Sequence, residues 1–241
     1  MVSTSSVASA APSLPHPAVW RASQISQSQG RCIDTGHADL SAELPGGGRP
    51  CGELIEFMPT RPGIGELRLL QPALAALPSE GSIALVQPPH MPHISGWAAW
   101  HLDVARLLWV CPQTPADALW ATDQLLKSAS CAAVLCWLPQ AHANALRRLH
   151  AAAQGSDVLF VALRPWLAAR QASPAPLRLQ LQPAPEGLQV HFVKRRGPAR
   201  DAPLHVPLYG SASFSFPVSH AFMDSHTSLP AKPRRAAAYA G

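Results

Sequence analysis

The sequence predicts an α/β protein built on a mainly parallel sheet and closed by an antiparallel hairpin. Between residues 53 and 163, short apolar runs alternate with segments of helical period, the pattern of repeated strand–helix–strand units. One of those runs, CAAVLCWL at 131–138, is apolar at every position, as a strand covered on both faces must be. After Pro165 the style changes. LRLQLQ and GLQVHFVK alternate apolar with polar residues and are separated only by PAPE, which marks a hairpin and not a helical crossover.

The elements follow in order. ELIEFM (53–58) is the first strand of this pattern, and IGELRLLQPALAAL (64–77) sets Ile64, Leu67, Leu70, Leu74 and Leu77 on one helical face at intervals of three or four. SIALVQ (82–87) is a strand stopped by Pro88 and Pro89, and SGWAAWHL a short helix. RLLWVC (106–111) reads as a buried strand. The next helix, TPADALWATDQLLKSA, has Thr114 as its N-cap, Pro115 at its first position and Asp117 in its first turn. Beyond CAAVLCWL come a helix in AHANALRRLHAAA, a strand in DVLFVAL (157–163), and the hairpin, which extends the sheet edge.

A chain of 241 residues that is 47% hydrophobic has the material for one domain. Its 26 prolines belong largely in loops and ends, so residues 1–34 are expected to be a disordered tail, 35–209 the domain, and 210–241 a disordered basic tail. The net charge of +5 is local. Residues 194–241 carry seven Lys or Arg against two Asp or Glu, which is the whole excess, while the preceding residues balance. Such a segment suits a polyanion or an acidic protein face, and equally a solvated tail. The five cysteines lack metal-type spacing and sit beside apolar residues, so they are expected to be reduced and buried. The N-terminal stretch has no basic leader and no unbroken apolar core, and no apolar run approaches the about 18 residues of a membrane span. A cytoplasmic protein without membrane partners is the expectation.

Chemistry-bearing motifs are sparse. The first strand runs into MPTRPGIGELRLL, where a nucleotide-binding protein carries a glycine-rich loop ending in Gly-Lys-Ser/Thr. Here Gly63 shapes the turn and Gly65, Glu66 and Leu67 take the place of that tripeptide: a carboxylate repels phosphate, and leucine has no hydroxyl for Mg²⁺. The strand at 131–138 ends in Trp137-Leu138-Pro139, without the acidic residue that would hold a metal. His90 and His93 have the spacing of a ligand pair, yet no third ligand lies close in sequence. No catalytic residue, cofactor or metal is therefore assigned. Five tryptophans (Trp97, Trp100, Trp109, Trp120, Trp137) cluster and are expected mostly in the core, with Trp97 or Trp100 free to line a groove. Lys194, Arg195 and Arg196 leave the second hairpin strand as a candidate nucleic-acid or partner contact, at least two of them exposed.

The run LPGGGRPCGELIEFMPTRPGIGELRLLQPALAAL, followed by IALVQPPHMPHISGWAAWHLDVARLLWV, DALWATDQLLKSASCAAVLCWLP, LRRLHAAA and FVKRRG, resembles the ImuA family, accessory proteins of bacterial translesion synthesis related to the division inhibitor SulA and more distantly to RecA. The resemblance covers about residues 36–208. It implies a RecA-like three-layer core without a working phosphate loop, and expression in the SOS response to DNA damage. It also implies a non-catalytic role beside an ImuB-like Y-family protein and an error-prone polymerase alpha-type subunit, with RecA and an indirect DNA contact as further candidates. His101 stands where the resemblance implies a glycine. The competing readings are a SulA-like inhibitor of the tubulin-like division protein, and a nucleotide hydrolase with an unusual loop.

Overall fold

The computed structural model describes residues 31–208. The expectations for residues 1–30 and 209–241 lie outside the described residues. Ordered structure begins earlier than the expected boundary at 35, because β1 (Cys32–Asp34) pairs antiparallel with β2 (Gly48–Pro50) as a small separate sheet. Between them lie α1 (Ala38–Ala42) and a 3-10 turn at Pro45–Gly47. The Asp34 carboxylate accepts from Ser41 Oγ at 2.7 Å and from the Gly36 amide at 3.1 Å, which closes the turn after β1. A Cβ on Gly48 would stand 2.3 Å from the Ile33 carbonyl oxygen, so the two strands approach this closely only with glycine there. Arg49 is fully buried and donates to the carbonyls of Thr35 and Leu69, tying the small sheet to the core.

The main sheet has eight strands in the order β10-β9-β8-β3-β7-β6-β4-β5. β3 (Leu54–Pro59), β4 (Ser82–Val86), β5 (Leu107–Val110), β6 (Cys131–Trp137), β7 (Leu159–Leu163) and β8 (Leu177–Ala184) are all parallel. β9 (Gly187–Lys194) and β10 (Leu204–Pro207) each run antiparallel to their neighbour. α2 (Glu66–Ala75), α3 (Ile94–Ala99), α4 (Pro115–Lys127) and α5 (Ala143–Ala153), with short 3-10 turns at Val104–Arg106 and Trp166–Arg170, complete the described elements. Because successive strand residues point to opposite faces, the sheet carries two cores. Ile55, Phe57, Leu135 and Val161 pack with Leu69, Leu70 and Leu74 of α2 and with Trp97, while Leu54, Val134, Cys136 and Phe160 pack with Leu126 of α4 and with Leu146 and Leu149 of α5. The result is the expected three-layer α/β architecture with an antiparallel hairpin. Thr114 caps α4 as its sequence requires, accepting from the Asp117 amide.

Several expectations need correction. β5 is the sheet edge and not a buried strand: Leu108 and Trp109 are exposed, and no strand among the described residues lies beyond it. Trp120 on α4 is 63% exposed as well, so the tryptophan cluster is only partly core. Cys111 is exposed and Cys32 half-buried, while Cys51, Cys131 and Cys136 are buried as expected. α2 starts at Glu66, two residues later than the periodicity suggests, and its buried face also includes Leu69 and Ala73. The strands of the hairpin extend through Pro183-Ala184 and leave a turn of Pro185-Glu186, with Glu186 at φ 58°. β10 has too short a run, LHVP, to announce itself by period.

α3 ends in an arrangement that explains position 101. The Leu102 amide donates to the Trp97 carbonyl and the His101 amide to that of Ala98, the paired bonds of a Schellman cap. That cap needs a left-handed residue just past the helix, and His101 supplies it at φ 57°. The glycine implied by the resemblance is the residue this geometry favours.

Candidate functional site

In open α/β sheets ligands bind where loops leave the carboxyl ends of the strands. Here the loops after β3, β4, β6 and β7 converge. In the first of them Gly63 and Gly65 take φ of 82° and 119°, and a Cβ on Gly65 would meet Leu208 at 2.7 Å. Their amides are aimed as in an anion-binding turn, but the anion is part of the chain. Glu66 Oε1 accepts from the Gly63 amide at 2.8 Å and Oε2 from the Gly65 amide at 3.2 Å, with the side chain only 3% exposed. A carboxylate at the first turn of α2 is also well placed against the helix dipole. Gly63, Gly65, Glu66 and Leu67 thus stand where a phosphate loop would, with the position filled from within. Leu67 packs half-buried against the first core.

Two adjoining cavities open beside this turn. The larger, about 480 Å³, lies among Pro59, Arg61, Pro88, Trp137, Arg164 and Trp166. The second, about 260 Å³, includes Glu66, Leu67, His90, His93, Trp97 and Trp100 in its wall. Pro88, Pro89 and Trp137 belong to both, so Trp137 stands between them. Trp97 reaches this groove from below, 4% exposed, with its ring centroid 6.2 Å from that of Trp100. Gln87, on the rim of the larger cavity, holds φ 56°, a conformation a non-glycine residue adopts at a cost of about 1–2 kcal/mol. Among the described residues no three His, Cys, Asp or Glu side chains form a metal-holding group.

Beneath the larger cavity lies a buried ion triad for which the sequence reading had no place. Glu56 of β3 is 0% exposed and bonded to Arg164 Nη1 at 2.9 Å and to Arg178 Nε of β8. Arg164 Nη2 also donates to the Ala141 carbonyl at 2.8 Å and to Gln171 Oε1 at 2.7 Å, and Arg178 Nη2 to the Ala168 carbonyl at 2.8 Å. The available signal was charge at inward positions: Glu56, the second glutamate of ELIEFM, and the arginines of LFVALR and LRLQLQ. Two buried atoms of side chains that line the larger cavity, Arg164 Nε and the Trp137 indole nitrogen, have no hydrogen-bond partner among the described residues. A buried donor in that state costs about 1–3 kcal/mol.

The basic cluster is elsewhere. Lys194 pairs with Arg178 at the amino end of β8, so Lys194, Arg195 and Arg196 lie at the opposite end of the sheet from the groove, and the structure does not bring them near Trp97. Lys194 and Arg196 are exposed, as expected for two of the three. The arginines are already engaged. Arg195 and Arg200 both bond the Glu43 carboxylate, Arg195 stacks 5.0 Å over Phe192, and Arg196 bonds Glu53 at 2.6 Å. The thiols are quiet: burial pushes Cys51 up to about 11 and raises Cys131 and Cys136, so all three remain protonated near neutral pH.

Fold and site define an α/β protein whose strand-end crevice has its first turn occupied by the chain's own Glu66 carboxylate and is walled by proline and tryptophan. No family model matches the chain, and no curated protein does. Among solved structures it aligns with SulA from Pseudomonas aeruginosa at 24% identity and a TM-score of 0.39, over 46% of this chain and 96% of that one. An alignment of that quality defines neither family nor function. No helix among the described residues is long and apolar enough to cross a membrane.

Proposed function

We propose that the protein is a non-catalytic adaptor that binds partner proteins through a nucleotide-type fold from which the nucleotide has been excluded. The observation that supports this is the Glu66 carboxylate on the amides of Gly63 and Gly65. An incoming phosphate would have to displace a buried carboxylate, break two charge-assisted hydrogen bonds and then sit beside that same negative charge. The neighbouring crevice is apolar instead, which suits a protein surface better than a polyphosphate.

The choice of partners rests on the sequence resemblance to ImuA proteins over residues 36–208. On that reading the protein acts in the SOS response, working in error-prone translesion synthesis with an ImuB-like Y-family protein and a polymerase alpha-type subunit. RecA and DNA are secondary contacts, and the setting is cytoplasmic. Two measurements test the reading. Thermal unfolding with and without millimolar MgATP is expected to give the same melting temperature, because a ligand bound at 100 times its Kd stabilises by about 2.7 kcal/mol and would be visible. Tagged protein recovered from DNA-damaged cells is expected to carry a Y-family-like protein and a polymerase subunit. A clear MgATP-dependent rise in melting temperature overturns the adaptor, and recovery of the tubulin-like division protein in place of those partners overturns the lesion-bypass assignment.

A further inference from the structure

We infer that the larger strand-end cavity is a recognition site for a partner peptide that presents a carboxylate next to a large apolar side chain, with Trp137, Arg164 and Arg61 as its polar determinants. The inference deepens the adaptor reading and rests on it. Three observations lead to this chemistry. The walls are apolar, formed largely by Pro59, Pro88 and Trp166. Two donors of side chains lining the cavity, the Trp137 indole N–H and Arg164 Nε–H, are buried without an acceptor among the described residues, although Trp137 is 8% and Arg164 3% exposed. The charge is unbalanced as well. Arg164 and Arg178 share the single carboxylate of Glu56, Arg61 adds another cation at the rim, and no Asp or Glu among the described residues lines the cavity.

An acceptor that brings negative charge meets both needs. A carboxylate accepts from an indole and from a guanidinium, and it offsets the surplus cation beneath the floor. The hydrophobic neighbour is what separates this ligand from a phosphate: the proline and tryptophan walls reward an aliphatic or aromatic group and offer a nucleic-acid backbone little to bond. Glu66 takes no part, being committed to its own turn.

The test uses phenylpropionate as the probe, titrated into the isotope-labelled full-length chain, with the Trp137 indole N–H resonance identified by its loss in Trp137→Phe. Phenylpropionate is expected to shift that resonance saturably at millimolar concentration. Phenylpropanol, which keeps the ring and lacks the charge, is expected to bind about tenfold more weakly. The exposed-rim variant Arg61→Glu, which leaves the buried triad intact, should lose the preference for the acid and keep the response to the alcohol. No shift with phenylpropionate, an equal response to acid and alcohol, or an equal response to inorganic phosphate or a thymidine oligonucleotide overturns the proposal. Each of those results leaves the adaptor reading standing, because that reading fails on MgATP stabilisation and partner recovery instead.

Discussion

At position 101 a histidine holds a conformation that glycine adopts freely. The left-handed backbone costs an L-residue about 1–2 kcal/mol, and glycine recovers that while giving back about 0.5–1 kcal/mol in chain entropy. His101 is exposed, so its side chain offsets little of the strain. His101→Gly is therefore expected to stabilise the protein by about 0.5–1 kcal/mol, read as a higher urea midpoint at unchanged slope. His150 acts through its proton. Its Nδ1 accepts the Leu54 amide at 3.1 Å, which only the neutral ring can do, and burial holds its pKa below the ordinary imidazole value, with Arg196 and Lys194 pushing the same way and Glu53 opposing them. A depressed folded-state value means that the contribution is present above the unfolded pKa of about 6.5 and is lost as pH falls through the folded value. Stability should decline as pH falls below about 6.5 and on through the depressed folded-state value, and His150→Gln should flatten that part of the profile. His37, also lowered chiefly by burial, keeps its own share in both proteins, so the difference between them isolates His150.

Among the elements, the segment joining β9 to β10 is fastened chiefly at Glu43, with Arg196–Glu53 as a second, more exposed tie. Arg195 and Arg200 converge on Glu43, next to the end of α1, and thereby hold the outer strands against the small N-terminal sheet. Glu43→Ala leaves Arg195, whose side chain is 9% exposed, without its carboxylate. A loss of about 1–3 kcal/mol is expected, with faster amide exchange confined to residues 195–203 and to α1. Lys194→Ala, at an exposed position without an ion-pair partner among the described residues, should change stability by less than about 0.5 kcal/mol. The long parallel strands and the helices α2, α4 and α5 were legible because each carries a full period of apolar residues between clear stop signals. β1, β2 and β10 were not. They are three or four residues long and exist through pairing with distant chain, which a local pattern cannot express. β5 misled for a related reason, since LLWV reads as interior and only the strand order reveals it as an edge. At the crevice, the carboxylate in the place of a phosphate-loop lysine was visible in Glu66 itself, but its bonds back to Gly63 and Gly65 were not, and the Glu56 triad depends on side chains that meet only across the folded sheet.

At the scale of the whole molecule, that triad joins three strands into one registered unit. β3 lies between β7 and β8, with Glu56 opposite Ala162 on one side and Arg178 on the other. Sliding β8 by one residue would turn Arg178 to the other face and leave Glu56 half-paired, so the ion contacts penalise a misregistered sheet more than apolar contacts alone would. Removing one partner of a buried pair typically costs about 3–5 kcal/mol, a large share of the total of about 5–15 kcal/mol that holds a domain together. Arg178→Met is expected to fall in that range, with Arg164 still bonded to Glu56, and a fall of under about 1 kcal/mol in a urea melt would show that the triad contributes little.

The position of β3 also sets a timetable. It is the first strand of the main sheet to leave the ribosome, yet both of its neighbours come late: the contacts of Glu56 with Arg164 and Arg178 span 108 and 122 residues. At roughly 5–20 residues per second, the central strand waits on the order of ten seconds with both edges open while helices and outer strands emerge behind it. During that interval β4, β5 and β6 have already been made and pair only with one another. On one side of the sheet β4, β5 and β6 therefore precede the centre, on the other β9 and β10 are added last, and the strand at its middle remains an unpaired template until β7 and β8 arrive.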